Sequence, residues 1–182
     1  ISSVSANDDL STVNGTFKDL NKLIQSNDEL YLNNTHYIQS NASYGPIQIT
    51  KNITINGANK ETGGYSIING NNLTNIFYVA KNSTVKLINI KFINSNNEKY
   101  GSIINTGNLT LINSTFENNK GFNGNDITNA NILNVENCKF TTKNATWGSI
   151  YIQSGKVNIK SSNFTDIESK YSAGIFYYGM SD

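Results

Sequence analysis

Apolar and polar positions alternate along most of this chain in short runs, and the runs return on a fixed beat. Val85-Lys86-Leu87, Leu109-Thr110-Leu111, Leu133-Asn134-Val135 and Val157-Asn158-Ile159 each set two apolar residues around a polar one. That is the spacing of a strand with one buried face, not of a helix. Successive runs lie 24 residues apart, and Phe92, Phe116, Phe140 and Phe164 keep the same interval. A third column holds Asn89, Asn113, Asn137 and Ser161, and a fourth holds Gly107, Asn131, Gly155 and Gly179. Several columns sharing one period mark a solenoid, in which each unit buries its apolar face only by stacking on its neighbours.

Within one period the pattern predicts three short strands. The run ending at Leu87, Leu111, Val135 or Ile159 meets an Asn-marked corner. Ile90-Lys91-Phe92, Ser114-Thr115-Phe116, Cys138-Lys139-Phe140 and Ser162-Asn163-Phe164 then alternate again. A third strand falls near Ile103, Ile127, Ile150 to Ile152, and Ile175, after which Gly or Asn closes the turn. These two residue types accept positive φ cheaply, which suits a corner repeated in every coil. The expected fold is an all-β, right-handed parallel β-helix of about six rungs, each rising by roughly 4.8 Å. Its core stack would consist of Phe92, Phe116, Phe140 and Phe164 beside Leu87, Leu111, Val135 and Ile159.

Upstream the beat is interrupted. Ile53-Thr54-Ile55 matches Val85-Lys86-Leu87 at a distance of 32 residues, which predicts an insertion of about eight residues within Gly57 to Ser66. Ile47-Gln48-Ile49 and Ile76 to Val79 fit the third strand. Thr16-Phe17-Lys18-Asp19-Leu20 starts like a helix, with Thr16 as N-cap, Asp19 three residues on, and Phe17, Leu20, Leu23 and Ile24 on one face. Such a helix would cover the open end of the solenoid, where strand edges and apolar side chains otherwise meet water. The expected organisation is a signal-peptide remnant or disordered start over 1–15, an N-terminal cap over 16–46 and the β-helix over 47–182. Ser181-Asp182 would begin another coil, so further domains of the same polypeptide are expected downstream.

Composition narrows the chemistry. A net charge of +1 with 15% charged residues implies neither nucleic acid nor an acidic membrane surface as partner. All 14 basic residues are lysine, and the richness in Asn, Ile, Lys and Tyr fits an AT-rich genome. No apolar run is long enough to span a bilayer. Val4-Ser5-Ala6 before Asn7-Asp8 has the small-residue spacing of a signal-peptidase site. The single cysteine, Cys138, shares a column with Ile90, Ser114 and Ser162, which predicts an inward-facing small residue and no nucleophile. Ten N-x-Ser/Thr triplets occur. Asn33, Asn41, Asn72, Asn82 and Asn144 are the candidates for glycan, whereas Asn113 belongs to the corner column and is expected in a rung-to-rung amide ladder.

The run Asn113-Ser114-Thr115-Phe116-Glu117-Asn118-Asn119, with the Gly101-Ser102-Ile103-Ile104-Asn105 strand, resembles the repeats of adhesin-like surface proteins of methanogenic archaea. Those repeats are similar to the ones in chlamydial polymorphic outer-membrane proteins. Phe17 to Ile24 and Ile47 to Gly57 resemble the N-terminal region of the archaeal proteins. The departures are Gly101-Ser102 in place of a double glycine, Asn125-Asp126 lacking it, and Thr141-Thr142 where Asn is usual. The resemblance implies a secreted, wall-associated protein that attaches to other cells, glycans or surface proteins, within a longer anchored chain. Trp147, Tyr151, Tyr171, Tyr177 and Tyr178 are the candidate contacts, because in-register coils would bring them close together and aromatic rings suit sugar faces and protein partners alike.

Two other readings compete. Polysaccharide lyases and hydrolases also use parallel β-helices, so the fold does not exclude an enzyme. Their chemistry needs clustered carboxylates. Glu98, Glu117, Asp126, Glu136, Asp166 and Glu168 scatter over different columns, Arg is absent, and the only histidine, His36, lies in the irregular N-terminal region. No catalytic, cofactor-binding or metal-ligating set is therefore expected. The third reading is a spacer that lifts other domains.

Overall fold

The computed structural model describes residues 15–172 and 174–179. Val4 to Ala6, the sequon at Asn14 and Ser181-Asp182 lie outside them. Among the described residues the strands form three parallel sheets that wind into a β-solenoid of about seven turns. Sheet I holds seven strands, from Gly15–Thr16 and His36–Ile38 through Ser66–Asn69, Ile90–Ile93, Thr115–Glu117 and Lys139–Thr141 to Asn163–Thr165. Sheet II holds Ile47–Ile49, Phe77–Val79, Ile103–Asn105, Ile127–Asn129, Ile150–Ile152 and Ile175–Tyr177. Sheet III holds Glu29–Tyr31, Ile53–Asn56, Thr84–Ile88, Asn108–Ile112, Ile132–Glu136 and Val157–Lys160. The chain visits sheets III, I and II in turn.

The 24-residue beat becomes literal register in sheet III, where Val85 pairs with Leu109, Leu109 with Leu133 and Leu133 with Val157. In sheet I, Phe92, Phe116, Phe140 and Phe164 lie over one another with ring centroids 4.8, 4.9 and 4.7 Å apart. These distances equal the rung rise of a parallel sheet, so each ring uses both faces against its neighbours. Phe92, Phe116 and Phe140 are fully buried, as are Leu87, Leu111 and Val135; Phe164 and Ile159, in the last full coil, are half-buried against this core. Cys138 is buried in the same core, and burial pushes its thiol up to about 11, which suits a packing role.

The count of about seven turns exceeds the six expected from the sequence. The first coil hides because its intervals differ: Leu30 pairs with Ile55, Tyr37 with Ile68 and Ile49 with Val79. Insertions in the corners stretch those intervals past 24 without disturbing the pairing. One of them is the predicted excursion after Asn56, where Asn59 and Gly63 close a small hairpin with hydrogen bonds of 3.1 and 3.0 Å.

Helix α1 (Phe17–Ser26) caps the solenoid as expected. The Thr16 hydroxyl accepts from the Asp19 N–H at 3.3 Å, and the Asp19 carboxylate accepts from the Thr16 N–H at 3.0 Å. The Thr16 hydroxyl also donates to the Asp19 carboxylate at 2.7 Å, and this bond, with the one from the Thr16 N–H, holds the Asp19 carboxyl below the usual range. Phe17, Leu20 and Ile24 are buried in the core, whereas Leu23, expected on the same face, sits on the flank of the stripe and is 37% exposed.

The corners divide the work of asparagine and glycine. Between sheets III and I, Asn89, Asn113, Asn137 and Ser161 all adopt left-handed φ of 48 to 55°. Amide ladders run from Asn89 to Asn56, from Asn94 to Asn69 and from Asn105 to Asn129, at 3.0, 3.2 and 2.7 Å. Gly107 serves a different purpose from the expected positive φ. A Cβ at Gly107 would run into the backbone carbonyls of Ala80 and Ser83 in the preceding coil, so the need is for close approach. Gly155 combines both demands, with φ of 92° and the Asn131 carbonyl where a Cβ would stand. Gly155→Ala is expected to cost about 2 kcal/mol or more in urea denaturation. A neutral result would show that this corner relaxes freely.

Candidate functional site

Strand alternation builds one side of the site. In Ile150–Ile152 the two isoleucines belong to the core and Tyr151 stands on the outer face of sheet II. The next strand pairs Phe176 with Tyr151, so Phe176 stands over it with ring centroids 5.4 Å apart. Tyr178, just past that strand, lies 6.3 Å from Tyr151.

The other side comes from the loops between sheets I and II. Trp147 stacks on Tyr171 of the following coil at 4.4 Å and lies tilted against Phe176 at 4.6 Å, and Phe122 of the preceding coil meets it edge-on at 6.5 Å. The loops hold this arrangement through cross-coil backbone bonds, including the Tyr171 N–H to the Thr146 carbonyl at 3.1 Å. Lys170 places its ammonium 4.8 Å from the Tyr171 ring centre. Six rings from three consecutive coils thus form one continuous surface, with Phe122, Tyr171 and Tyr178 about half exposed at 49, 55 and 52%. Burial, with the neighbouring Tyr178, raises the Tyr151 phenol above its ordinary value, so it stays a hydrogen-bond donor at neutral pH.

Four of the five aromatic residues singled out in the sequence therefore meet here: Trp147, Tyr151, Tyr171 and Tyr178. Tyr177 does not join them. It pairs with core residue Ile152, so it sits on the inner side of its strand, although 64% exposed. Phe122 and Phe176 were missed. Phe176 follows Tyr151 by 25 residues and Phe122 precedes Trp147 by 25, so a strict 24-residue column passes them by. Aligning the coils by their third strands, which pairs Ile150 with Ile175, would have found Phe176; the register of Ile127 with Ile150 sets Phe122 against Ala145, so only the loop geometry brings it to Trp147.

The carboxylates stay dispersed among the described residues. Glu117 pairs with Lys91 at 3.1 Å and Glu136 with Lys160 at 3.8 Å, each across one rung. Among the described residues no group of three or more His, Cys, Asp and Glu comes together in a way that could hold a metal. Asp126 is fully buried; its Oδ1 accepts from the Asn119 amide at 2.9 Å and its Oδ2 from the Thr142 hydroxyl at 2.5 Å. Thr142, where the repeat would carry Asn, is thus a ligand of the buried carboxylate. Burial pushes the Asp126 carboxyl up to about 6, against the opposing effect of these bonds.

A raised folded pKa means that the native state keeps its proton over a window, about pH 4 to 6, in which the unfolded chain has lost it. Asp126 therefore makes stability fall as pH rises through that window, by on the order of 3 kcal/mol. Asp126→Asn is expected to remove this decline, so that the variant gains on the parent between pH 4 and pH 7 in paired urea titrations. An identical pH slope in the two proteins would contradict a buried, titrating Asp126.

Fold and surface together define a parallel β-solenoid domain that displays an aromatic patch on the outer face of sheet II and its adjoining loops. The chain matches no protein-family model, no curated protein and no solved structure. The five sequon asparagines Asn33, Asn41, Asn72, Asn82 and Asn144 are all exposed. Among the described residues no helix is long and apolar enough to cross a membrane.

Proposed function

We propose that this domain is a non-catalytic adhesin module, displayed outside the cell, that attaches to glycans or proteins on other cells through the aromatic patch. The observation that carries this reading is the patch itself: six rings from three coils, three of them about half exposed, on a scaffold whose backbone is hydrogen-bonded from coil to coil. Contiguous exposed aromatic surface is what recognition sites use, because a ring buries a large area on contact while losing little side-chain entropy. The rigid rod adds pre-organisation, and many copies on one surface convert weak single contacts into avidity. The resemblance to archaeal adhesin-like repeats points the same way, as do the exposed sequons, which suit an exported glycoprotein. The test is attachment of the isolated domain to a glycan array and to whole cells of neighbouring microbes. Saturable binding supports the adhesin. Failure to bind any cell or sugar would leave a spacer, and cleavage of oligosaccharides would leave an enzyme.

A further inference from the structure

A second site lies at the opposite end of the solenoid, where helix α1 meets the loop between His36–Ile38 of sheet I and Ile47–Ile49 of sheet II. A cleft of about 300 Å³ opens there between Phe17, Lys18, Asn21 and Gln25 of the helix and Tyr44 to Gln48, which end the loop and begin the strand. That volume is at the lower end of the range of small-ligand pockets. Tyr44, 54% exposed, and buried Phe17 are its two aromatic lining residues. Asn21, Gln25, Gln48 and Thr50 line it as well, with Lys18, and among the described residues that line it there is no carboxylate.

The loop is built to hold Tyr44 still. Gln39, fully buried, donates its amide to the Gly45 carbonyl at 3.1 Å and accepts from the Ser40 and Asn41 N–H groups at 3.1 and 3.4 Å. The Asn41 carbonyl side chain accepts from the Ser43 N–H at 2.9 Å, capping the single 3-10 turn that ends at Tyr44. Across the cleft, Gln25 donates to Asn21 at 3.2 Å and to the Gln48 carbonyl at 3.4 Å, tying helix to strand. With these bonds made, the buried Gln39 amide is compensated and fixes the path of the loop that carries Tyr44.

We infer that this cleft binds a single saccharide unit, with a sugar's C–H face against Tyr44 and its hydroxyls on the Asn21, Gln25 and Gln48 amides. An aromatic wall beside planar amides is complementary to a pyranose, which is apolar on one face and ringed with donors and acceptors. One cation and no anion in the lining admit neutral, N-acetylated or acidic sugars alike. The site is independent of the aromatic patch. Its loop belongs to the first coil, and register along sheet II places it four rungs from that of Trp147, about 20 Å at the rise of stacked strands.

The two sites report separately, because the only tryptophan of the chain belongs to the far patch. The experiment titrates the isotope-labelled domain with glucose, galactose, N-acetylglucosamine and glucuronate while following side-chain amide signals and Trp147 fluorescence. At least one sugar should shift the Asn21, Gln25 and Gln48 amides saturably and leave Trp147 unchanged. Tyr44→Ala, at an exposed ring whose loss leaves the fold intact by circular dichroism, should weaken that binding about tenfold or more. Gln25→Ala should weaken it as well. Absence of saturable shifts with all four sugars up to about 50 mM would overturn the inference. Shifts that survive both substitutions would overturn it equally. Neither result bears on cell attachment through Trp147, which the array and whole-cell assays measure.

Discussion

Replacing Phe116 with alanine should lower the unfolding free energy by about 3 to 5 kcal/mol, the usual cost of truncating a large core side chain. Phe116 is fully buried, with Phe92 stacked on one face at 4.8 Å and Phe140 on the other at 4.9 Å. Removing it leaves a void between two rings that strand pairing holds a full rung apart on either side, so the site has little room to collapse. Phe164→Ala makes the internal comparison. That ring is half-buried and stacks on Phe140 at 4.7 Å, so its loss should cost roughly half as much. Urea denaturation followed by circular dichroism and by Trp147 fluorescence measures both, and the two probes together detect coil-by-coil unfolding of a solenoid. A loss below about 1 kcal/mol for Phe116→Ala, as at surface positions, would contradict the stacked core.

The second large effect concerns attachment. Trp147 is the hub of the patch, in contact with Phe122, Tyr171 and Phe176 at once. Trp147→Ala should reduce binding to cells or glycans by roughly tenfold to a hundredfold, the range of a central aromatic anchor. Trp147→Phe, which keeps a ring against Tyr171 and Phe176, should retain most of it. Tyr177→Ala should leave binding unchanged, because Tyr177 stands on the inner side of its strand, in register with Ile152. Unaltered attachment by a folded Trp147→Ala domain would remove the patch from the proposed binding face. Loss through Tyr177→Ala alone would move that face to the end of the solenoid.

Much of the architecture was legible because in a parallel solenoid the contact partners sit one period away in sequence. The phenylalanine column, the Asn corners and the capping box at Thr16 and Asp19 each follow from local chemistry repeated or placed at fixed spacing. Legibility failed where the interval changed. The first coil pairs Leu30 with Ile55 and Tyr37 with Ile68, and it went uncounted because its corners carry extra residues. Period also says nothing about which side of a strand is covered by its neighbours. Tyr177 is such a case, and Leu23 is its counterpart on the helix: each fits a pattern, and the exposure of each is set by what lies beside it.

The candidate sites lean further on tertiary structure. Trp147, Tyr151, Tyr171 and Tyr178 could be nominated from in-register stacking, but Phe122 and Phe176 enter only through loop geometry and strand parity. The Tyr44 cleft left no periodic signal at all, since it joins a helix to a loop more than fifteen residues later in the chain. The buried Asp126 with Thr142 is similar, for its ligands come from two different coils.

By itself the sequence determined the class of fold, its repeat length and the columns of its core, because side chains one period apart must stack once the backbone coils. Tertiary structure alone decided which rings meet on the outside, how the corner insertions are absorbed and where a helix leaves a cleft. Those features depend on distances between segments that no shared period relates, so only the folded chain brings their residues together.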